Sequence, residues 1–201
     1  MSEETDAGIK SRLRSFSDLL ETLFITFFVM TMVFTYLVRI VTVNGGSMES
    51  TLMPGERLIV SLMDKSPEQR DIVLIDSKES FTLAEDGSLQ KGDGIDKIIV
   101  KRVIACGGQT VDIDFSTGAV TVDGTRLYED YLKLGLTHTD EGAFTGKYPV
   151  TVPEGYIFVM GDHRSVSKDS RSADIGFVPE DSVIGKVVLR LTPVSRFGTV
   201  G

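Results

Sequence analysis

Cysteine and histidine are nearly missing from this chain of 201 residues, and basic charge is in deficit. The single cysteine, Cys106, excludes an internal disulfide and any cysteine-built metal cluster. It ends an apolar run, where a thiol serves as a small buried hydrophobe rather than a reactive group. The two histidines, His138 and His163, are too few and too far apart for a metal site, so no metal is expected. Lysine and arginine together number 21 against 29 acidic residues, a formal charge of −8, which argues against nucleic acid as a partner. Internal repeats and low-complexity tracts are absent too.

What the chain does have is one long apolar run. Residues 22–38 (TLFITFFVMTMVFTYLV) carry no charge, and with the flanks at 16–21 and 40–43 they are long enough to cross a bilayer. Large apolar residues on every face leave no polar stripe for water, which disfavours a buried core helix. A cleaved signal peptide fits poorly, because the run is too long and no small-x-small site follows it. Lys10, Arg12 and Arg14 precede the run and only Arg39 follows closely. That asymmetry predicts an uncleaved, single-pass anchor in the cell membrane, with residues 1–15 a cytoplasmic tail, 16–38 the span and 39–201 outside.

Beyond the span the chain reads as strands and turns. Short β-rich runs fall at 56–63, 71–76, 97–105, 110–115, 119–122, 156–160 and 183–191, and Ser116-Thr117-Gly118 marks a hairpin. Only Pro179-Glu180-Asp181 suggests a helical turn. These patterns predict a mainly β fold, with an N-terminal transmembrane helix and an antiparallel β domain. Two excursions interrupt it: a polar loop at 80–94, and a stretch at about 107–152 long enough for a small inserted β subdomain.

Two residues could carry chemistry. Ser47 sits in Gly45-Gly46-Ser47-Met48 shortly after the span, and Lys101 lies inside an apolar strand, Ile98-Ile99-Val100-Lys101-Arg102-Val103-Ile104. A serine hydroxyl is a poor nucleophile until a base takes its proton, and a buried amine can do so. On a strand Lys101 shares a face with Ile99 and Val103, and Arg102 shares the other with Val100 and Ile104. Spacing does not decide which of the two points inward, and an edge strand with both solvated is the simpler reading on spacing alone. Chemistry favours the lysine, since a guanidinium cannot be deprotonated in a protein. Asp162 and His163 are neighbours whose side chains diverge on extended backbone, so a serine–histidine triad built on them is disfavoured.

Four stretches in order resemble the type I signal peptidase family of membrane-bound serine proteases. Gly46-Ser47-Met48-Glu49-Ser50-Thr51-Leu52 resembles its nucleophile box, and Arg70-Asp71-Ile72-Val73 its next strand. Lys101-Arg102-Val103-Ile104-Ala105, with Gly108 following, resembles its general-base box. Gly161-Asp162-His163-Arg164-Ser165-Val166-Ser167-Lys168-Asp169-Ser170-Arg171 resembles its last box. The chain departs from the family pattern at Ser50 (a proline in the family), at Arg70 (no glycine before Asp71), at Gly107-Gly108-Gln109 (Pro-Gly-Asp) and at His163 (asparagine).

The resemblance implies removal of signal peptides from exported preproteins. Ser47 is then the nucleophile, its own amide an oxyanion donor, and Lys101 the general base. Gly45 lacks the second oxyanion hydroxyl that some members carry two positions before the nucleophile. Ser167 is expected to orient the lysine amine, Asp162, Asp169 and Arg171 to form a salt-bridged support, and Met48 to pack beside the nucleophile. Lysine as base points to the bacterial branch, since the endoplasmic-reticulum branch uses histidine. The implied substrates are signal peptides in extended conformation, cut after small residues at the first and third positions before the bond, at the lipid bilayer and without metal or cofactor. A self-cleaving Ser–Lys stress repressor is disfavoured by the membrane run and by the lack of a basic DNA-binding module. A non-catalytic, membrane-anchored β domain that binds an extracytoplasmic partner is the remaining alternative.

Overall fold

The computed structural model describes residues 2–132, 137, 139–144 and 146–200, with side chains from residue 14 onward; His138 lies outside them. The chain divides into two compact units, Met1–Val38 and Arg39–Gly201.

The first unit is a helix, α1 (Ser2–Met32), closed by a π-helical turn at Val33–Leu37. Helical backbone begins at Ser2 and runs without a break into the apolar segment. The most apolar 18-residue window within Arg14–Leu37 has a mean hydropathy of 1.8, and none of it is buried within the protein. The 24 residues of the whole segment measure about 36 Å, enough for a bilayer core. Thr22, Thr26 and Thr31 each donate their hydroxyls to the carbonyl four residues earlier, at 2.7–2.8 Å. These three hydroxyls are thereby satisfied within the helix itself, without water.

The second unit is mainly β and antiparallel, as the sequence predicts. Its strands are β1 (Val38–Thr42), β2 (Arg57–Ser61), β3 (Ile72–Asp76), β4 (Glu79–Leu83), β5 (Leu89–Asp93), β6 (Ile98–Cys106) and β7 (Thr110–Asp114). There follow β8 (Ala119–Val122), β9 (Thr125–Arg126), β10 (Val150–Thr151), β11 (Tyr156–Met160), β12 (Val178–Pro179), β13 (Val183–Thr192) and β14 (Gly198–Thr199). The main sheet runs β1-β2-β13-β3-β6-β11-β12, with β14 added to β13. Central strands are apolar on both faces: Ile72, Val73, Leu74 and Ile75 of β3 are all buried.

A smaller sheet, β10-β7-β8-β9, comes from the stretch at 107–152. Its β7–β8 hairpin turns at Gly118, whose φ is 74°. The Asp114 carboxylate ties the turn, accepting from the Ser116 amide at 2.9 Å and the Thr117 hydroxyl at 2.6 Å. Residues 80–94, expected as a loop, instead form most of a third sheet, the two-stranded hairpin β4–β5. Polar composition concealed it: every residue of β5 (LQKGD) is exposed, so no apolar alternation marks the strand.

One core joins the two larger sheets. Val111, Ile113, Val120 and Val122 of the small sheet pack with Ile104, Phe158 and Met160 of the main sheet, and with Phe144 and Phe177. The Phe144 and Phe177 rings lie 4.5 Å apart, with Phe158 beside both. Phe158→Ala is expected to cost about 3–5 kcal/mol, read as a lower urea midpoint of the detergent-solubilised protein.

Candidate active site

Ser47 is presented by a turn anchored from below. β1 enters the turn, and the hydrogen bonds Val43 N to Glu56 O and Gly55 N to Val43 O, both 2.9 Å, close its base. Inside it, a tight turn closes where Leu52 N donates to Met48 O at 2.8 Å. Met48 and Leu52, four residues apart and essentially inaccessible, plug into a core of Leu58, Val60, Ile72 and Leu74. With those two side chains directed down, Ser47 lines a cavity of about 520 Å³.

Lys101 reaches the same cavity from β6, where it pairs with Val73 of β3 and is buried rather than solvated as spacing alone suggested. Its side chain is 3% exposed, and Nζ lies 2.9 Å from Ser47 Oγ. Burial depresses its pKa to about 8, with Arg171 pushing the same way and Asp169 and Asp162 opposing. A neutral amine is therefore accessible near physiological pH, with the hydroxyl within hydrogen-bond reach. Arg102, its neighbour, is also buried, but on the opposite face.

Behind the pair lies a set of buried ions. Arg171 grips Asp169 through Nε to Oδ1 at 2.8 Å and Nη2 to Oδ2 at 2.9 Å. Burial alone would raise the Asp169 carboxyl, but the Arg171 guanidinium holds it below the usual carboxylate value. Asp162 does not join this pair. Its carboxylate is held by Arg102, through Nε at 2.9 Å and Nη2 at 2.7 Å, and accepts the Thr51 hydroxyl. The expected single support is thus two pairs, and its second cation is Arg102, the neighbour of Lys101 on β6. Arg164, another residue the sequence did not single out, is fully buried; it donates to the carbonyl of Gly161 at 3.0 Å and pairs with Glu129. Only pairing permits charges at this depth.

Ser167 departs from expectation. Its hydroxyl is buried without a hydrogen-bond partner, and the Lys101 amine is directed to Ser47 instead. His163 is a loop residue, as anticipated: its backbone N–H donates to Ser47 O at 3.0 Å, and its ring Nδ1 lies 3.6 Å from Glu49 Oε2. Cys106 is half-buried rather than fully so, its thiol directed to the Pro67 carbonyl at 3.3 Å and its pKa raised by burial.

Two glycine positions explain local sequence. A Cβ on Gly161 would stand 2.2 Å from Ser167 Oγ and 2.4 Å from Ser47 O, so only glycine lets the loop at 161–171 approach the Ser47 turn. Where the family glycine is missing, Arg70 adopts φ 80°, the left-handed conformation that glycine favours. A salt bridge to Asp130 at 2.7 Å holds the arginine there.

Comparison with known proteins decides the family. Residues 16–192 match the family model described as signal peptidase, peptidase S26. The chain belongs to this family. It is a serine endopeptidase, and the family's activity is the removal of signal peptides. Among curated relatives, a probable signal peptidase I-1 from Synechocystis sp. is 33% identical over 162 residues, covering 79% of this chain and 74% of the relative. Signal peptidase IB from Staphylococcus aureus is 30% identical over 190 residues, covering 86% and 87%. A solved signal peptidase I from Enterococcus faecalis, 30% identical, aligns with 60% of this chain and 96% of that one at a TM-score of 0.42.

The two adjacent cations of β6 are expected to respond oppositely to removal. Arg102→Ala strands the Asp162 carboxylate and is expected to cost about 3–5 kcal/mol. Lys101→Met removes an amine whose folded pKa, about 8, lies below its ordinary 10.5. The unfolded chain binds more protons between those values, so this group penalises the fold fully below pH 8 and not at all above 10.5. Lys101→Met is therefore expected to raise stability at pH 7, on the order of 3 kcal/mol, and to flatten its rise toward pH 10. Urea titrations of both variants at the two pH values check this.

Proposed function

We propose that the protein is a membrane-bound Ser–Lys endopeptidase that cleaves signal peptides after small residues. The observation that carries the reading is the 2.9 Å contact between the Ser47 hydroxyl and the desolvated amine of Lys101. Neutral Lys101 takes the hydroxyl proton as Ser47 Oγ attacks the scissile carbonyl. It returns that proton to the leaving amine, then activates water to release the acyl group. The Ser47 amide donates to the tetrahedral oxyanion, an interaction worth about 3–4 kcal/mol in comparable sites. No side chain supplies a second donor from position 45. Gly45 has φ +91°, a conformation that a serine there adopts only under strain.

Substrate geometry follows from strand edges around the cavity. β6 pairs with β11 only from Arg102 onward, which leaves its stretch from Ile98 to Lys101 without a partner strand on that side. β1 ends the main sheet and, among the described residues, pairs only with β2. Residues of both strands line the cavity with Ser47 and Met48. An extended peptide laid there pairs through its main chain, and shallow apolar walls (Val43, Leu74, Ile99) admit only small side chains. Asp162, Asp169 and Arg171 hold the surrounding loops rather than touching substrate. Ser167, buried and unpartnered, is the hydroxyl available to orient the Lys101 amine once that amine has handed on its proton.

The apolar helix keeps enzyme and preprotein in one thin layer, raising their effective concentration. The basic residues before it support a cytoplasmic N-terminus, with the domain at 39–201 on the other side.

Incubating the detergent-solubilised protein with a preprotein is expected to give a single cut after a small residue. Ser47→Ala and Lys101→Ala each abolish it with the fold intact; a variant retaining near-native turnover refutes the dyad. Because the base works as the free amine, kcat/KM is expected to fall about tenfold per pH unit below pH 8. A profile flat from pH 8 to pH 6 excludes a neutral lysine.

A further inference from the structure

On the face of β6 opposite Lys101, Arg102 borders a second cavity, of about 290 Å³. Four guanidinium groups line it, from Arg70, Arg102, Arg190 and Arg196, with one carboxylate, Asp130, at the wall. The chain brings these arginines together from well-separated places, and their charges do not balance. Asp162 neutralises Arg102, and Asp130 neutralises Arg70. Arg190 and Arg196 share one carboxylate, the almost inaccessible Glu56, at 3.0 and 2.7 Å. Among the described residues, one positive charge is left over.

The strain of this arrangement is visible in the contacts. Arg190 Nε, although close to Glu56 Oε2, is buried without an aligned hydrogen bond. Burial, and secondarily the nearby Arg196, depress the Arg190 pKa while Glu56 opposes them. Arg190 Nη2 and Arg196 Nη2 converge on the Thr51 carbonyl at 2.7 and 3.1 Å, so like charges face each other across one acceptor. Guanidinium forks present paired N–H donors that match the oxygens of a tetrahedral oxyanion. The space suits a small ion or headgroup better than a drug-sized ligand.

We infer that this cavity is a binding site for a phosphate-class oxyanion, whether the free ion or the headgroup of a phospholipid. The ligand supplies the charge that Glu56 alone cannot, and it sits against Ser50 and Thr51, in the turn that carries Ser47. This site is separate from the cleavage reaction proposed above, so a binding readout tests it whatever the catalytic outcome.

The test uses the full chain in a maltoside detergent, titrated with inorganic phosphate while chloride holds ionic strength constant, with thermal unfolding as the readout. A saturable rise in midpoint specific to phosphate is expected; a response no greater than that to chloride overturns the site. Thr199→Glu puts a carboxylate at an exposed position on the wall, clear of the ion pairs. It is expected to weaken phosphate binding about tenfold or more, and Arg196→Gln to do the same. If Arg196→Gln fails to fold, Thr199→Glu alone decides, and undiminished affinity in it overturns the proposal. Repeating the titration in phosphatidylglycerol nanodiscs separates the sources. A phosphate response lost there but present in detergent identifies the lipid headgroup as occupant, and a response retained identifies the free ion.

Discussion

The depth at which the Lys101 amine is held governs the rest of the site. In water the amine is a cation with no lone pair to offer. Walled in on β6 and brought to a pKa of about 8, it becomes a base that neutral solution can populate. That shift is a cost to folding, and the surrounding design keeps it from growing. Asp169, paired in two contacts to Arg171, places a fixed negative charge near the amine without offering it a proton. The balance of burial against this carboxylate sets the basicity.

The Lys101-Arg102 dipeptide shows how a strand distributes two like charges. Pleating sends the amine to the cavity it shares with Ser47 and the guanidinium to Asp162 on the reverse face. Through Asp162 and the Thr51 hydroxyl, the reverse face is wired to the same turn that presents Ser47. The turn is therefore clamped from both sides of β6, by the Lys101–Ser47 hydrogen bond on one and an ion pair on the other. Met48 and Leu52 fasten it from beneath.

Much of this was legible from residue order. The apolar run announced the helix, the β-rich runs announced β2, β3, β6, β11 and β13 of the main sheet but not β1, β12 or β14, and the motifs singled out Ser47 and Lys101, which the fold brings to 2.9 Å. What stayed hidden depended on partners distant in sequence. Arg102 read as the less useful neighbour of the base because nothing local reveals that Asp162 lies across from it. Arg164 is buried against Glu129, a pairing that neither residue signals alone. The β4–β5 hairpin escaped notice because an exposed strand owes its shape to backbone pairing rather than to an apolar face. The Ser167 contact, anticipated from resemblance, is not made in this structure, although the hydroxyl is buried and free to accept one.

Gly161 carries a consequence larger than its size. With the space for a methyl group already taken by Ser47 and Ser167, the two segments interlock there as a key seats in a ward. Neither can slide or tilt without carrying the other along. Mutational tolerance across the site should then be uneven in an unintuitive way, strictest at the residue that brings no functional group at all.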